Sequence, residues 1–161
     1  EKSRKVIVTL QSNALMVDPD ILRGEQTESK LEELYKGFWK EVLGNGFERL
    51  VRFFAMQKLL GGYLIDRGKT GLAANGYYPF YLTEAGSVFV LEVVPDSDAS
   101  RKISEYMSKG LDAPDWAMKK YGAPLWKKCP FVRENGYGEI IAYSSPLSFE
   151  GAEGKKEAIH G

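Results

Sequence analysis

Cysteine and histidine are nearly absent from the 161 residues, which hold one of each, Cys129 and His160. A single cysteine excludes an internal disulfide framework and a four-cysteine zinc site, and it fits a reducing, cytoplasmic setting. Cys129 precedes Pro130 with no histidine near it in sequence. A nucleophile and its base must be held within hydrogen-bond reach, so cysteine-dependent catalysis is not expected. An excess of charge of one sign is also missing. The 22 basic residues balance 22 acidic ones, so attraction to nucleic acid or to an anionic membrane has to come from a local patch. Apolar runs fall far short of the roughly 20 residues that cross a bilayer, and no charged-then-apolar signal opens the chain. The sequence begins at Glu1 without a methionine, as a fragment or a trimmed chain would.

What is present suits one packed domain. With 43% hydrophobic and 27% charged residues, a single α+β domain is expected over residues 1–150, followed by a polar tail over 151–161. The most β-prone run is Val88-Phe89-Val90-Leu91-Glu92-Val93, introduced by Glu84-Ala85-Gly86-Ser87. Its lack of clean alternation predicts a central strand covered on both faces. Lys5 to Leu10 is a second β-branched run. Leu31, Leu34, Tyr35, Phe38, Trp39, Val42 and Leu43 repeat at helical spacing, which predicts an amphipathic helix over about Thr27–Leu43. Ser29 with Glu32 would form a capping box, Thr27 is the competing cap, and Gly44 stops the helix. Phe47 to Met56 reads equally as strand or short helix, and Leu59 to Ile65 as a strand kinked at its glycines. Ser97 and Asp98 open a second helix that ends near Gly110. Pro114 opens a third, and Asn135-Gly136-Tyr137-Gly138 turns into a last strand from Glu139 to Tyr143. The order predicts a ferredoxin-like (RRM-like) βαββαβ fold, an antiparallel sheet with its helices on one face.

Several motifs have both a chemical and a plain reading. Gly68-Lys69-Thr70 lacks the earlier glycine of a phosphate loop and precedes no helix start, so no nucleotide cofactor is implied. Arg67 and Lys69 could still touch a phosphate backbone as a basic loop tip, or simply be solvated. Asp18-Pro19-Asp20 offers paired carboxylates for metal or acid–base chemistry, but turn chemistry alone explains it and is the favoured reading. Tyr77, Tyr78, Tyr81 and Tyr137 lie in or beside loops and could stack on bases. The glycines of the Asn135–Gly138 turn permit positive φ or the close approach of a phosphate, and they also suit an ordinary connection.

The segment Ala85-Gly86-Ser87-Val88-Phe89-Val90 and the turn Asn135-Gly136-Tyr137-Gly138-Glu139 together resemble the CRISPR-associated RAMP superfamily. Its members are built from ferredoxin-like domains and carry a glycine-rich loop before the last strand. The resemblance implies a non-catalytic subunit, or one domain of a larger subunit such as its C-terminal part, in a type III effector-type ribonucleoprotein of antiviral defence. The implied partners are CRISPR RNA and other effector subunits, with no metal, cofactor or membrane. It implies the family's glycine-loop role, RNA contact, for Asn135, Gly136, Tyr137 and Gly138, and the residues themselves add Arg133 beside the turn and Arg67 and Lys69 on the basic loop as further candidates. The precursor-processing nucleases of the family commonly use a histidine near their first helix, and this chain has none there. The alternatives are a protein-docking module of such a complex and a RAMP-type endoribonuclease, with a small-molecule enzyme third.

Overall fold

A computed structural model describes residues 2–22, 27–60 and 80–144. Among these residues the order is β1 (Arg4–Leu10), α1 (Glu28–Leu43), β2 (Phe47–Phe54), β3 (Gln57–Leu60), β4 (Phe80–Thr83), β5 (Val88–Val93), α2 (Asp98–Lys109), α3 (Asp115–Tyr121) and β6 (Ile140–Ser144), with short 3₁₀ turns at Leu125–Lys127 and Arg133–Asn135. The fold is α+β.

Four strands form an antiparallel sheet in the order β2-β5-β1-β6, and β3 pairs with β4 separately. The register sets Val6 opposite Leu91 and Val8 opposite Phe89, while Leu10 faces Ile140 across the β1–β6 pair. Alternation along a strand puts these residues on one face. That face is buried against α1 through Tyr35, Phe38, Trp39 and Val42, and against α2 through Ala99, Ile103 and Tyr106. At its centre the Phe89 ring lies 5.0 Å from the Tyr35 ring and 5.3 Å from that of Trp39. Truncating such a residue to alanine costs about 3–5 kcal/mol.

Local signals explain the helix ends. Thr27 accepts from the Lys30 backbone N–H at 3.2 Å, and the Gly44 N–H donates to the Lys40 carbonyl. Thr27, not Ser29, is therefore the cap of α1. Ser97 caps α2 and Gly110 closes it. Pro114 stands at the cap position of α3, one residue before the helix.

One expectation needs correction, and one open alternative is resolved. β5 is central, between β2 and β1, but among the described residues helices cover only one of its faces. Phe89, Leu91 and Val93 are buried while Val88, Val90 and Glu92 are half-buried, so its apolar outward residues belong to an open sheet face. Phe47–Phe54 is a strand, and two register shifts between Phe47 and Arg52 break the period of two that would have identified it.

β2 and β5 also continue past the sheet. After a break at Ala55 and Met56 the chain runs on as β3, and β4 leads back into β5 through residues 84–87. Backbone bonds between Ala14 and Thr83, 2.9 Å in both directions, and from Glu84 N to Met56 O at 2.8 Å tie this extension to the body. The Tyr35 hydroxyl, 3.1 Å from the Thr83 hydroxyl, accepts from Gln57 Nε2 at 2.6 Å. A second, smaller core forms where Phe80 and Leu82 of β4 meet Ala117, Tyr121, Leu125 and Cys129.

Candidate nucleic-acid interface

The segment leading into β6 is held from both sides by backbone hydrogen bonds. The Gly138 N–H donates to the Asn13 carbonyl at 2.9 Å, and the Gly138 carbonyl accepts from Leu111 N at 2.8 Å. Glu139 N donates to Ser12 Oγ at 2.9 Å. The glycines differ sharply. Both have positive φ, but a Cβ on Gly138 would stand 3.3 Å from Leu111 Cβ, whereas one on Gly136 would meet nothing within 4 Å. Gly138 thus makes room for the chain itself, and Gly136 opens to solvent.

The side chains of the turn are engaged within the molecule. Arg133 Nη1 lies 2.6 Å from Asp112 Oδ1, and the other Asp112 oxygen accepts from the Tyr106 hydroxyl at 2.9 Å. Burial first, and then Asp112, hold the Tyr106 hydroxyl far above its ordinary pKa. Asn135 Nδ2 donates to the Pro130 carbonyl at 2.8 Å, and the half-buried Tyr137 ring meets Phe131 edge-on at 5.2 Å. Arg133, Asn135, Tyr137 and the two glycines are therefore brought together. Arg67 and Lys69, together with Tyr77 and Tyr78, lie outside the described residues. Beside the turn runs a groove of about 270 Å³, with Leu15, Leu111, Phe131 and Tyr137 among its walls and Met118 and Trp126 at its exposed rim.

The other candidate chemistry resolves into structure. Lys120 Nζ sits 2.6 Å from carboxylate oxygens of both Asp18 and Asp20. The Asp18 side chain also accepts from Asp20 N at 2.9 Å, so the pair forms a turn latched to α3. Cys129 is fully buried, and burial raises its thiol pKa. No cluster of three or more His, Cys, Asp or Glu suited to a metal occurs among the described residues. Among those residues no helix is long and apolar enough to cross a membrane.

The outward face of the sheet is the surface that the strand patterns failed to disclose. Strand pairing arranges it in three rows: Arg49, Glu92 and Lys5; Arg52, Val90, Ile7 and Tyr143; Phe54, Val88, Thr9 and Ile141. Phe54 and Tyr143, on the two outermost strands, are 65% and 57% exposed. Arg49 binds Glu92 through two bonds of 2.6 and 3.0 Å, and this contact lowers the Glu92 carboxyl pKa. The signal for these residues was the Arg-Phe-Phe run at 52–54, whose outward half the bulges of β2 concealed.

Comparison with known proteins finds no matching family model, no matching curated protein and no matching solved structure.

Proposed function

We propose that the chain is a non-catalytic RNA-binding domain of the RAMP type, acting within a CRISPR ribonucleoprotein on a ferredoxin-like βαββαβ frame. The observation that carries this reading is the sheet order β2-β5-β1-β6, with a left-handed glycine turn opening into the last strand. Taking β3 and β4 as an extension of the β2–β5 hairpin, and α3 as an insertion before β6, leaves strand, helix, two strands, helix, strand. Numbered by appearance, those four strands then stand in the order 2-3-1-4, that of the split βαβ arrangement. α1 and α2 pack on one face, no described helix covers the opposite one, and a Cβ on Gly136 would meet nothing within 4 Å, which is room for a ligand. RNA is the ligand proposed, with effector subunits as neighbours.

The test is retention of CRISPR-repeat RNA on a filter at low salt, with the protein alone and with partner subunits. Retention is expected, and Arg133→Ala should weaken it modestly, because Asp112 already occupies that guanidinium. No retention under either condition overturns the reading. A protein-docking module is the second reading, favoured by Trp126 and Met118, which are 57% and 42% exposed beside the groove. Aromatic and methionine side chains are enriched at such interfaces.

A further inference from the structure

We infer that the outward sheet face is itself a binding surface for single-stranded RNA, with Phe54 and Tyr143 stacking on bases and Arg52 and Lys5 meeting phosphates. The inference rests on the RNA-binding reading above, but it relocates the main contact from the glycine turn to the sheet.

The argument begins with charge. The carboxylates at the charged end of the face, Glu92 and Glu48, both act on Arg49, and Arg49 binds Glu92 directly. Lys5 and Arg52 form no ion pair among the described residues. Lys5 lies opposite Glu92 and acts on its carboxyl, whereas Arg52 lies opposite Val90. Arg49, Lys5 and Arg52 against Glu92 and Glu48 leave one positive charge in excess, and Arg52 is the cation with no carboxylate opposite it. A protein partner would bury Arg52 with no carboxylate of this face to meet it, which is costly. A polyanion would keep it paired.

Shape selects the kind of polyanion. Between the two exposed rings lies a floor of Ile7, Val88, Val90 and Ile141, all half-buried. Phe54 and Tyr143 stand three inter-strand steps and one row apart, about 16 Å at roughly 4.8 Å per step and 3.3 Å per residue. Such a floor with an aromatic ring at each side suits unstacked bases, and a cation beside each base suits the backbone that joins them. A duplex hides its base faces within its own stack and cannot use the rings.

The experiment measures fluorescence anisotropy of a short fluorescein-labelled oligouridylate at low salt, with its oligoadenylate duplex as the comparison. The single strand should bind more tightly than the duplex. Phe54→Ala and Tyr143→Ala should each weaken binding about fivefold or more, the least that losing a base–aromatic stack brings. Phe54→Leu keeps apolar area without a π face, so it should bind as weakly as Phe54→Ala, while Tyr143→Phe should restore binding. Arg52→Ala and Lys5→Ala should each flatten the salt slope by about 0.7. Both aromatic residues are exposed, so circular dichroism and melting of the variants should match the parent protein and exclude misfolding.

If the parent protein binds and the Phe54→Ala/Tyr143→Ala double variant binds equally well while Arg133→Ala does not, the inference fails and the RNA-binding reading stands. If neither oligouridylate nor CRISPR-repeat RNA is bound by the parent protein, both fail. Phe54→Leu binding like the parent, equal affinity for the duplex, or self-association abolished by Phe54→Ala in a protein that binds no RNA would each overturn the stacking role.

Discussion

Alanine should be tolerated at Gly136 and poorly tolerated at Gly138, although the two lie in one turn with φ of +82° and +76°. A side chain in the left-handed region costs about 1–2 kcal/mol. At Gly136 that is the whole cost, because a Cβ there meets nothing within 4 Å. At Gly138 the new Cβ would stand 3.3 Å from Leu111 Cβ and 3.4 Å from Leu111 N. Both atoms are fixed to the backbone, so no rotamer change relieves the crowding. Moving residue 111 strains the bonds from Leu111 N to Gly138 O and from Gly138 N to Asn13 O, each contributing about 1 kcal/mol net. The expected losses are about 1.5 kcal/mol for Gly136→Ala and about 3 kcal/mol for Gly138→Ala. In a chain of this size 1 kcal/mol moves the melting temperature by about 2–4 °C, so the two variants should melt about 3–6 °C and 6–12 °C low. Urea denaturation followed by tryptophan fluorescence gives the free energies, with equal m-values as the check on two-state behaviour. Gly136→Asn should recover most of the loss, since asparagine enters the left-handed region readily. Equal losses at the two positions would refute the assignment of Gly138 to internal packing and of Gly136 to an open surface.

Tyr35→Phe removes the hydroxyl that joins α1 to the β3–β4 extension and leaves Thr83 and Gln57 without it; it should cost about 1–2 kcal/mol in urea denaturation. Lys120→Met should cost about 2 kcal/mol at neutral pH, because it leaves Asp18 and Asp20 without their shared cation. Burial opposes the Lys120 charge, but the two aspartates more than offset it and raise its pKa. A raised folded pKa gives stability that is complete below the unfolded lysine value and lost as pH rises through the folded one, so the gap between parent and variant should close only above about pH 10. An unchanged gap at higher pH would remove the ion pair as its cause. Cys129 is fully buried with a raised thiol pKa, so Ellman's reagent at pH 8 should label it only after denaturant unfolds the chain, and rapid labelling of the native protein would contradict the second core.

The sequence disclosed the elements whose own period was undisturbed. The α1 stripe put Tyr35, Phe38, Trp39, Val42 and Leu43 on one face, and all five are buried. Val88–Val93 proved a central strand because its β-branched and aromatic residues suit a pleated surface under helices. The failures were of two physical kinds. In β2 the bulges put Arg49 and Arg52 on one face despite a spacing of three, so periodicity suggested helix as readily as strand. In β5 the outward Val88 and Val90 looked like a second buried face, because hydrophobicity alone cannot tell a covered face from a half-exposed one. For the turn, the left-handed glycines were legible but their purpose was not. Whether a glycine makes room for a ligand or for Leu111 depends on a residue 27 positions away, by direct count from Gly138.

Net neutrality counted against nucleic acid in the sequence, and the pairing of charges changes the force of that argument. Arg49 is matched by Glu92, Arg133 by Asp112, Arg101 by Asp98, Lys109 by Glu105, and Lys120 by Asp18 and Asp20. These pairs use six of the 22 acidic and five of the 22 basic residues, so the remainder stays near balance and placement decides the matter: Arg52 stands on the sheet with Val90 opposite it, and Lys127 and Lys128 are exposed beside Trp126. Whole-molecule charge governs long-range steering, whereas affinity at contact follows the few cations that displace counterions. On the proposed reading, binding through Lys5 and Arg52 alone should show a log–log salt slope near about −1.4 for a single strand. A slope several times steeper would require cations beyond these two at the interface.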